Sequence, residues 1–341
     1  MPGPLDEAFL EGLARRLALK GMELEALRQR TLLRMGLALL LGLPLFLLAL
    51  RHGDEGGALP SAVGTLLLLV LGLLYAPFRR AFKGVLVPPL AEALGLRYGV
   101  ERSPGEASRP APDEGGNRLG PFRVRVAGEA QRGEAQGRDA VGFTASGLFP
   151  KPDRLEVEDY LEGPLGAFHL RSADVRAYRR VRTKNGTRYQ RFFSGVFVRL
   201  ELPFTAPAEV VVPQRLPEAL GFLKGARGGL QRLNLESPEF ERRFDAYADD
   251  QVGGRVFLTP AVMEGLLGYA ERTRKTPYLA LRGTTLYLAV PGVDRFEPRL
   301  FRPIDGKVLR EYLERFLREM ELALALAEDL RLEERRRRLG G

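Results

Sequence analysis

Two long uncharged runs of residues lie near the start of the chain. Residues 35–50 have the sequence MGLALLLGLPLFLLAL, residues 58–78 have the sequence ALPSAVGTLLLLVLGLLYAPF, and only the polar stretch RHGDEGG separates them. As a helix, the first run rises roughly 24 Å, so the residues just before it must extend it to cross the roughly 30 Å of a hydrocarbon core. The pattern predicts a transmembrane hairpin over residues 31–79, with spans at 31–50 and 58–78. The alternative, two buried helices of a soluble core, is disfavoured because runs this long and leucine-rich are rare there.

The charges around the two runs predict the orientation of the hairpin. The connecting stretch balances Arg51 with Asp54 and Glu55, whereas basic residues flank the outer ends of both runs: Arg28, Arg30 and Arg34 before the first, and Arg79, Arg80 and Lys83 after the second. Lys and Arg collect on the cytoplasmic side of membrane proteins. We therefore expect the bacterial inner membrane as the location, with both termini in the cytoplasm.

Apolar residues recur at helical spacing near both ends of the chain. Residues 1–30 have the pattern of an amphipathic cytoplasmic helix, and its mixed charges favour packing on protein over lying on lipid. Residues 307–341 are predicted to form a long helix with a basic tail. Its apolar positions alternate spacings of four and three, the pattern of a coiled-coil seam; they are Leu309, Leu313, Phe316, Met320, Ala323, Ala327 and Leu330. Packing of this seam on the same chain and homo-oligomerisation through residues 308–338 both remain open.

The middle of the chain predicts a mixed domain. Residues 80–100 are expected to form a juxtamembrane helix, and residues 101–120 are rich in Pro, Gly, Ser and charge, as in a linker. Strand and helix patterns then follow in mixed order over residues 121–306, with Thr259 and Pro260 as a helix start. The predicted fold class is an α+β cytoplasmic domain with an N-terminal two-helix transmembrane hairpin and a long C-terminal helix.

Composition excludes several kinds of chemistry. The chain has no cysteine, which rules out disulfides, thiolate zinc sites and cysteine nucleophiles, and its two histidines are His52 and His169. Only His169 lies in the α+β domain, where its alternating neighbours predict a half-exposed strand position. No cofactor is predicted. The few asparagines and the absence of cysteine are thermophile-like, although a GC-rich genome produces the same bias.

One short segment carries most of the net charge. Residues 171–191 contain eight basic residues and one acid, Asp174, for a net charge of +7 out of +9 for the chain. Within the segment, Asn185-Gly186 lies between two strand-like runs and predicts a two-residue hairpin turn. That turn would pair Arg180 with Arg191 and Tyr178 with Phe193. Because directly opposed arginines are destabilising, we expect either an anion between them or a different register.

The hairpin is the first candidate site. A basic strand face with interleaved aromatic residues is suited to anionic ligands. These could be lipid headgroups, nucleic acid or an acidic protein segment. A solvated hairpin without a ligand is the simpler alternative. The predicted anion-binding residues are Arg176, Tyr178, Arg180, Arg182, Arg188, Tyr189 and Arg191.

An acidic stretch is the second candidate site. Residues 239–260 place Phe240, Phe244 and Tyr247 at helical spacing, which predicts a buried helix face. The aspartates nearby are expected to end that helix, and a glycine pair is expected to permit positive φ in the following turn. The alternative is a metal-assisted hydrolase, although the spacing does not fit a calcium-binding loop. The residues concerned are Asp245, Asp249, Asp250, Gly253 and Gly254, with Glu158 as a further carboxylate.

Several blocks of sequence resemble a known family. They are SGLF at 146–149, VEDYLEG at 157–163, FERRFDAYADDQ at 240–251, LTPAVME at 258–264 and LYLAVPG at 286–292. In order and spacing they resemble the bacterial domain-of-unknown-function 3137 family, from about residue 70 to residue 330. The glycines of VGGR at 252–255 depart from the helix or strand formers expected there. The resemblance implies a membrane hairpin with a cytoplasmic α+β domain, and it implies no catalytic residues.

The sequence favours a binding function over an enzymatic one. We expect a membrane-anchored cytoplasmic binding or scaffold module, with the basic hairpin contacting anionic lipid or an acidic protein partner. Nucleic acid is disfavoured because the membrane anchor already holds the domain near an anionic leaflet. The metal-assisted hydrolase built on Asp245, Asp249 and Asp250 is the alternative.

Overall fold

The structure is a computed structural model. It describes residues 7–52, 58–99, 139–184, 186–215, 229–292 and 295–339, so the predicted linker at 101–120 lies outside the described residues. The chain divides into two compact units. Unit one contains residues 1–93 and 296–316, and unit two contains residues 94–295 and 317–341.

Two long helices form most of unit one. Helix α1 covers Glu7–His52 and helix α2 covers Ala58–Ala93, so each predicted span continues without a break into the amphipathic segment next to it. By length and composition, α1 from Lys20 and all of α2 could cross a membrane. Their leucines face outward: Leu40 and Leu68 are both 72% exposed. Such helices bury these side chains only in a partner or in lipid.

Small residues bring α1 and α2 together. A Cβ on Gly42 would lie 2.6 Å from Leu67 Cδ1, and a Cβ on Gly64 would lie 3.1 Å from Phe46. Glycine at these two positions permits a close approach of the helix backbones, as is common between helices in a membrane.

The polar ends of the same helices have a different character. Leu13, Leu17 and Leu24 on α1 are almost fully buried, as are Phe78 and Phe82 on α2. Amphipathic packing on protein, as predicted for the N-terminal helix, is therefore present within unit one.

Unit two is built on a sheet of antiparallel strands. Among the described residues the strand order is β1-β2-β3-β4-β9-β8-β5-β7-β6. The mixture of this sheet with helices agrees with the predicted α+β class. The strands are β1 (Arg97–Tyr98), β2 (Arg154–Leu165), β3 (Phe168–Thr183), β4 (Gly186–Glu201), β5 (Val210–Val212), β6 (Gln231–Arg232), β7 (Tyr247–Ala248), β8 (Tyr278–Arg282) and β9 (Thr285–Pro291).

An aromatic cluster fills one side of the sheet. The ring centroid of Phe143 lies 5.0 Å from that of Phe149, 5.5 Å from that of Phe193 and 5.2 Å from that of Phe197. Alternate residues of β3, including Ala173 and Val175, pack into the same cluster. These strands thus follow the period-two pattern of a sheet with one face on the core.

The other side of the sheet buries charge. Ser172 and Asp174 alternate with the core residues of β3, and they meet Arg295, whose side chain is 0% exposed. Arg295 Nε donates to Asp174 Oδ1 at 2.7 Å, its backbone N–H donates to Oδ2 at 3.1 Å, and Nη1 donates to Ser172 Oγ at 2.9 Å. Glu319 lies 4.0 Å from the same Nε. A buried guanidinium is stable only with such partners.

The acidic stretch and the residues that follow it form three helices. They are α3 (Pro238–Arg243), α4 (Gln251–Phe257) and α5 (Pro260–Thr273). Thr259 caps α5 through Val262 N at 3.3 Å, as predicted. The predicted helix face was wrong at its end, because Phe244 is the C-cap of α3 and Tyr247 belongs to β7. Pairing of β7 with β5 supplies backbone hydrogen bonds that a longer helix would lose.

The glycine pair was also interpreted wrongly. Gly253 and Gly254 lie inside α4 and have no positive φ. A Cβ would lie 2.8 Å from Ala208 Cβ at the first position and 2.7 Å from Ala248 Cβ at the second. Close packing, and not a turn, therefore requires glycine here.

The C-terminal helix, α6, covers Gly306–Leu339, so it begins one residue before the predicted segment 307–341 and ends within it. All seven predicted seam residues are buried within the chain, and so are Tyr312, Leu317, Leu322 and Leu326. This stripe is wider than the two positions per heptad of a coiled coil. The seam residues thus pack on the same chain.

Candidate anion-binding arm

The far end of the β3–β4 hairpin extends beyond its neighbouring strands. β2 pairs with β3 only as far as Tyr178, and β9 pairs with β4 only from Gly195 onward. Within the part of the chain that the structure describes, residues 179–191 pair only with each other, except that Arg191 pairs with Tyr178. We call this two-stranded segment the arm, and the rest of β3 and β4 the base.

The register of the arm differs from the prediction. Tyr178 pairs with Arg191, Arg180 with Tyr189, and Thr183 with Gly186, so the predicted pairs Arg180–Arg191 and Tyr178–Phe193 were wrong. Every arginine of the arm lies opposite a residue other than arginine. Like charges directly opposite each other are destabilising, and this register avoids them.

The predicted Asn185-Gly186 turn was wrong, because Gly186 in β4 already pairs with Thr183 in β3. A bulge also separates the register of the arm from that of the base. Ala177 pairs with Phe193 and Tyr178 pairs with Arg191, which leaves Phe192 as an extra residue in β4. The rings of Phe192 and Phe193 both contact Phe143, at centroid distances of 6.4 and 5.5 Å, so both point to the core side. An extra residue of this kind changes the pairing of everything beyond it. The aromatic cluster thus sets which residues of the arm lie opposite each other.

One face of the arm combines arginine with tyrosine. Because paired residues share a face, Arg180, Arg182, Tyr189 and Arg191 lie on the same side, with Thr187 among them. Arg188 lies on the opposite side, with Arg179. The predicted site residues are therefore split between the two faces.

A small network supports the tyrosines of this face. The guanidinium of Arg154 lies 5.7 Å from the ring centroid of Tyr178 and 5.9 Å from that of Tyr189. Glu156 pairs with Arg154 at 2.7 Å and accepts the Tyr178 hydroxyl at 3.0 Å. Burial, together with this hydrogen bond and the charge of Glu156, raises the pKa of Tyr178 above its ordinary value. Tyr178 is therefore held as a neutral donor.

Charge is balanced at the base and unbalanced on the arm. Arg176 pairs with Glu158 at 2.8 Å, so this predicted site residue is already bound to a carboxylate. The arm has six basic side chains and no acidic one. Four of its arginines, Arg180, Arg182, Arg188 and Arg191, are exposed, and none of their guanidinium groups has a carboxylate partner among the described residues; the backbone N–H of Arg180 donates to Asp153 Oδ2 at 2.6 Å. Their positive field is open to an external anion.

The three aspartates of the acidic stretch serve separate local partners. Asp250 Oδ2 accepts Gly253 N at 2.6 Å and caps α4. Asp249 Oδ1 accepts the backbone N–H groups of Glu209 and of Asp250, each at 2.8 Å. Asp245 lies 3.4 Å from Arg232. Among the described residues, no three His, Asp or Glu side chains form a group that could hold a metal ion. The geometry gives the hydrolase alternative no support.

His169 also has an ion-pair environment. Its Nε2 lies 3.2 Å from Glu162 Oε1, and Arg171 Nε lies 3.1 Å from the same oxygen. Burial alone would raise the pKa of Glu162, but the hydrogen bonds from His169 and Arg171 and the charges of Arg171 and Arg97 outweigh it and hold the pKa below its ordinary value. His169 thus orders a surface carboxylate.

Two features were missed by sequence reasoning. The sequence gives no signal that Arg295 is buried, since its partners lie more than 120 positions away in β3. Phe301 is 88% exposed. In the sequence, only the charged residues on both sides of it indicate this exposure.

Comparison with known proteins gives one family match and no activity. The family described as "Protein of unknown function (DUF3137)" matches residues 191–332, a shorter part of the chain than the resemblance suggested. No curated protein matches the chain. It is similar to the crystal structure of the mycobacterial trehalose monomycolate transport factor A, TtfA, with 7% identity over 51% of this chain and 72% of that one. The TM-score is 0.31, a level at which likeness carries no argument. Residues 191–332 are thus similar to the DUF3137 family.

Proposed function

We propose that the protein is a membrane-anchored binding module of the bacterial inner membrane, with both termini in the cytoplasm. In this proposal the apolar parts of α1 and α2 cross the bilayer, and the arm binds anionic phospholipid headgroups. The basic residues flanking the apolar runs support the orientation. No catalytic step is part of the proposal.

The projection of the arm is the observation that carries the binding function. A two-stranded hairpin is only marginally stable by itself, and this one has no further strand beside it in the described chain. Its exposed arginines therefore add little to the fold. A segment with six basic and no acidic side chains instead offers charge to a polyanionic surface.

Anionic lipid fits this charge better than other polyanions. Each Lys or Arg close to an anionic bilayer surface contributes about 1 kcal/mol, and the contribution disappears within a Debye length. A membrane anchor on the same chain converts the contact into an intramolecular event, which raises its effective concentration. The arm therefore needs only modest intrinsic affinity.

The test uses the absence of tryptophan from the chain. Thr187→Trp places a reporter on the arm face, and the full-length protein is reconstituted into vesicles of phosphatidylcholine with or without phosphatidylglycerol. Brominated phosphatidylglycerol should quench the reporter, and about 1 M salt should remove the quenching. The triple reversal Arg180→Glu, Arg182→Glu and Arg191→Glu in the same background should also abolish it.

A matched triple reversal provides the control. Arg242→Glu, Arg255→Glu and Arg272→Glu change the net charge equally at exposed positions on α3, α4 and α5, and they should leave the quenching intact. Equal quenching with and without phosphatidylglycerol, or quenching that survives the arm reversal, would contradict the proposal. A third outcome would assign the arm to an acidic protein partner. In that case brominated lipid does not quench the reporter, and an added acidic polypeptide protects it from quenching by aqueous acrylamide.

A further inference from the structure

Phe301 is the most exposed large apolar side chain of the described residues, at 88%. It lies within a segment of unit one that connects to α6. We propose that residues 297–302 form a third membrane-contacting element, which places the Phe301 ring among the lipid headgroups. The proposal rests on the membrane placement of α1 and α2 proposed above, and it is independent of the arm.

Hydrogen bonds fix the level of this segment along both apolar helices. Arg28 Nη1 donates to Leu300 O at 2.9 Å, and Arg28 lies about one turn before the predicted span 31–50 of α1. Tyr75, in the last turn of the apolar run of α2, donates to Pro298 O at 2.8 Å. Since α1 enters its run where α2 leaves its own, both bonds mark the same boundary. The segment therefore lies where hydrocarbon would give way to headgroups.

Further contacts make the segment rigid. Glu297 pairs with Arg79 at 2.6 Å, and its backbone oxygen accepts the Tyr312 hydroxyl at 2.8 Å. At the other end, Glu25 accepts Ile304 N at 2.7 Å. Phe301 is thus held between two anchored points, and its exposure is imposed by the fold.

The immediate neighbours of Phe301 differ from it in burial. Phe296 is 0% exposed and Leu300 is 8% exposed, so these apolar neighbours are buried while the Phe301 ring is not. Arg302 forms two contacts of 2.5 and 2.6 Å with Glu311, and Arg299 is exposed beside it. An aromatic ring flanked by arginine is the arrangement that suits a membrane interface.

A lipid surface fits Phe301 better than a protein partner does. The exposed leucines of both helices, including Leu33 at 68% and Leu73 at 64%, begin at the same boundary, so the Phe301 ring continues their apolar surface. A single projecting ring beside such a surface needs no complementary pocket to be buried. The bilayer that would cover the leucines would also cover it.

The experiment again uses single tryptophans in the full-length, reconstituted protein. Phe301→Trp is compared with Leu45→Trp, in the middle of the apolar run of α1, and with Val252→Trp, which is 69% exposed on α4. Vesicles of phosphatidylcholine alone contain lipid brominated either near the headgroup or near the chain end. Phe301→Trp should be quenched at least threefold more by the shallow bromine, and Leu45→Trp more by the deep one.

The outcomes separate this inference from the other proposals. A Phe301→Trp reporter that behaves like Val252→Trp, or that is quenched more by the deep bromine, overturns it. Loss of all lipid quenching from Leu45→Trp overturns the membrane placement as well. Failure of the arm alone appears only as an unquenched Thr187→Trp reporter in phosphatidylglycerol. If Phe301→Trp does not fold, a spin label on Phe301→Cys in the cysteine-free chain measures the same depth by oxygen and nickel accessibility.

Discussion

The base and the arm of the β3–β4 hairpin use the same residue types for opposite purposes. In the base, arginine is matched to carboxylate: Arg171 contacts Glu162 at 3.1 Å, and Arg176 contacts Glu158 at 2.8 Å. In the arm, arginines alternate with tyrosine and threonine, and the guanidinium groups of four of them have no carboxylate partner among the described residues: Arg180, Arg182, Arg188 and Arg191. Burial requires a partner for each charge, whereas water tolerates an unpartnered one. Charge matching thus marks the limit of the folded core along two continuous strands.

The largest effect is expected where charge is buried. Asp174→Ala removes the carboxylate that Arg295 contacts through two hydrogen bonds, and it should lower stability by about 3–5 kcal/mol, because a buried cation loses the nearer of its two carboxylates. The corresponding fall in melting temperature is about 10 °C. Circular dichroism of the protein in detergent measures it.

The control for this prediction lies on the arm. Arg188→Ala removes an exposed, unmatched arginine and should leave the melting temperature unchanged. The triple variant Asp174→Leu, Arg295→Met and Glu319→Leu should recover much of the loss, because it removes the cation together with both carboxylates beside it. Equal melting temperatures for Asp174→Ala and Arg188→Ala would contradict the distinction between base and arm.

A smaller effect is expected from backbone contact in the base. A Cβ on Gly195 would lie 2.1 Å from Val290 O, so Gly195→Ala must separate β4 from β9 and should cost about 1–3 kcal/mol or more. Gly265→Ala on α5 is the matched change, since its nearest neighbour would be 3.8 Å away. That substitution should stabilise by about 0.5–1 kcal/mol, because alanine favours a helix. Thermal melting should show a lower melting temperature for Gly195→Ala and a higher one for Gly265→Ala. A lower melting temperature for Gly265→Ala would refute the steric argument.

Acid should weaken the base through Glu162. Its pKa is held below the ordinary 4.5 in the folded protein, so the unfolded chain takes up a proton first as the pH falls. The stabilisation is complete above that ordinary value and is lost as the pH falls through the folded pKa. Glu162→Gln should therefore show a shallower decline in melting temperature below about pH 4.5 than the unmodified protein. Glu264→Gln, exposed on α5, is the control; parallel declines for all three proteins would contradict the assignment.

The smallest effect on stability is expected from the arm. The triple reversal of Arg180, Arg182 and Arg191 to glutamate should change stability by less than about 0.5 kcal/mol per substitution, since exposed positions rarely contribute more. The triple reversal should therefore leave the melting temperature unchanged and abolish the lipid quenching. A large fall in melting temperature would instead make the arm part of the fold.

Local signals in the sequence located several elements correctly. Thr259 and Pro260 mark the start of α5, and the apolar stripe from Leu309 to Leu330 marks α6, because capping and helical periodicity depend on neighbours within a few positions. The two apolar runs are likewise visible from length and composition. The charge excess at residues 171–191 is a property of the sequence alone.

Long-range packing decided what the sequence could not. The bulge at Phe192 follows from contact with Phe143, almost 50 positions earlier, and it changes the opposing partner of every arm residue. In the same way, β7 pairing ends a helix that the periodicity would have continued to Tyr247, and close neighbours place Gly253 and Gly254 within a helix. Residue type and local spacing thus determined that this chain has apolar helices and a basic hairpin. Only the tertiary contacts decided which arginines are matched and which remain open to a ligand, because the energy of a charge depends on what surrounds it.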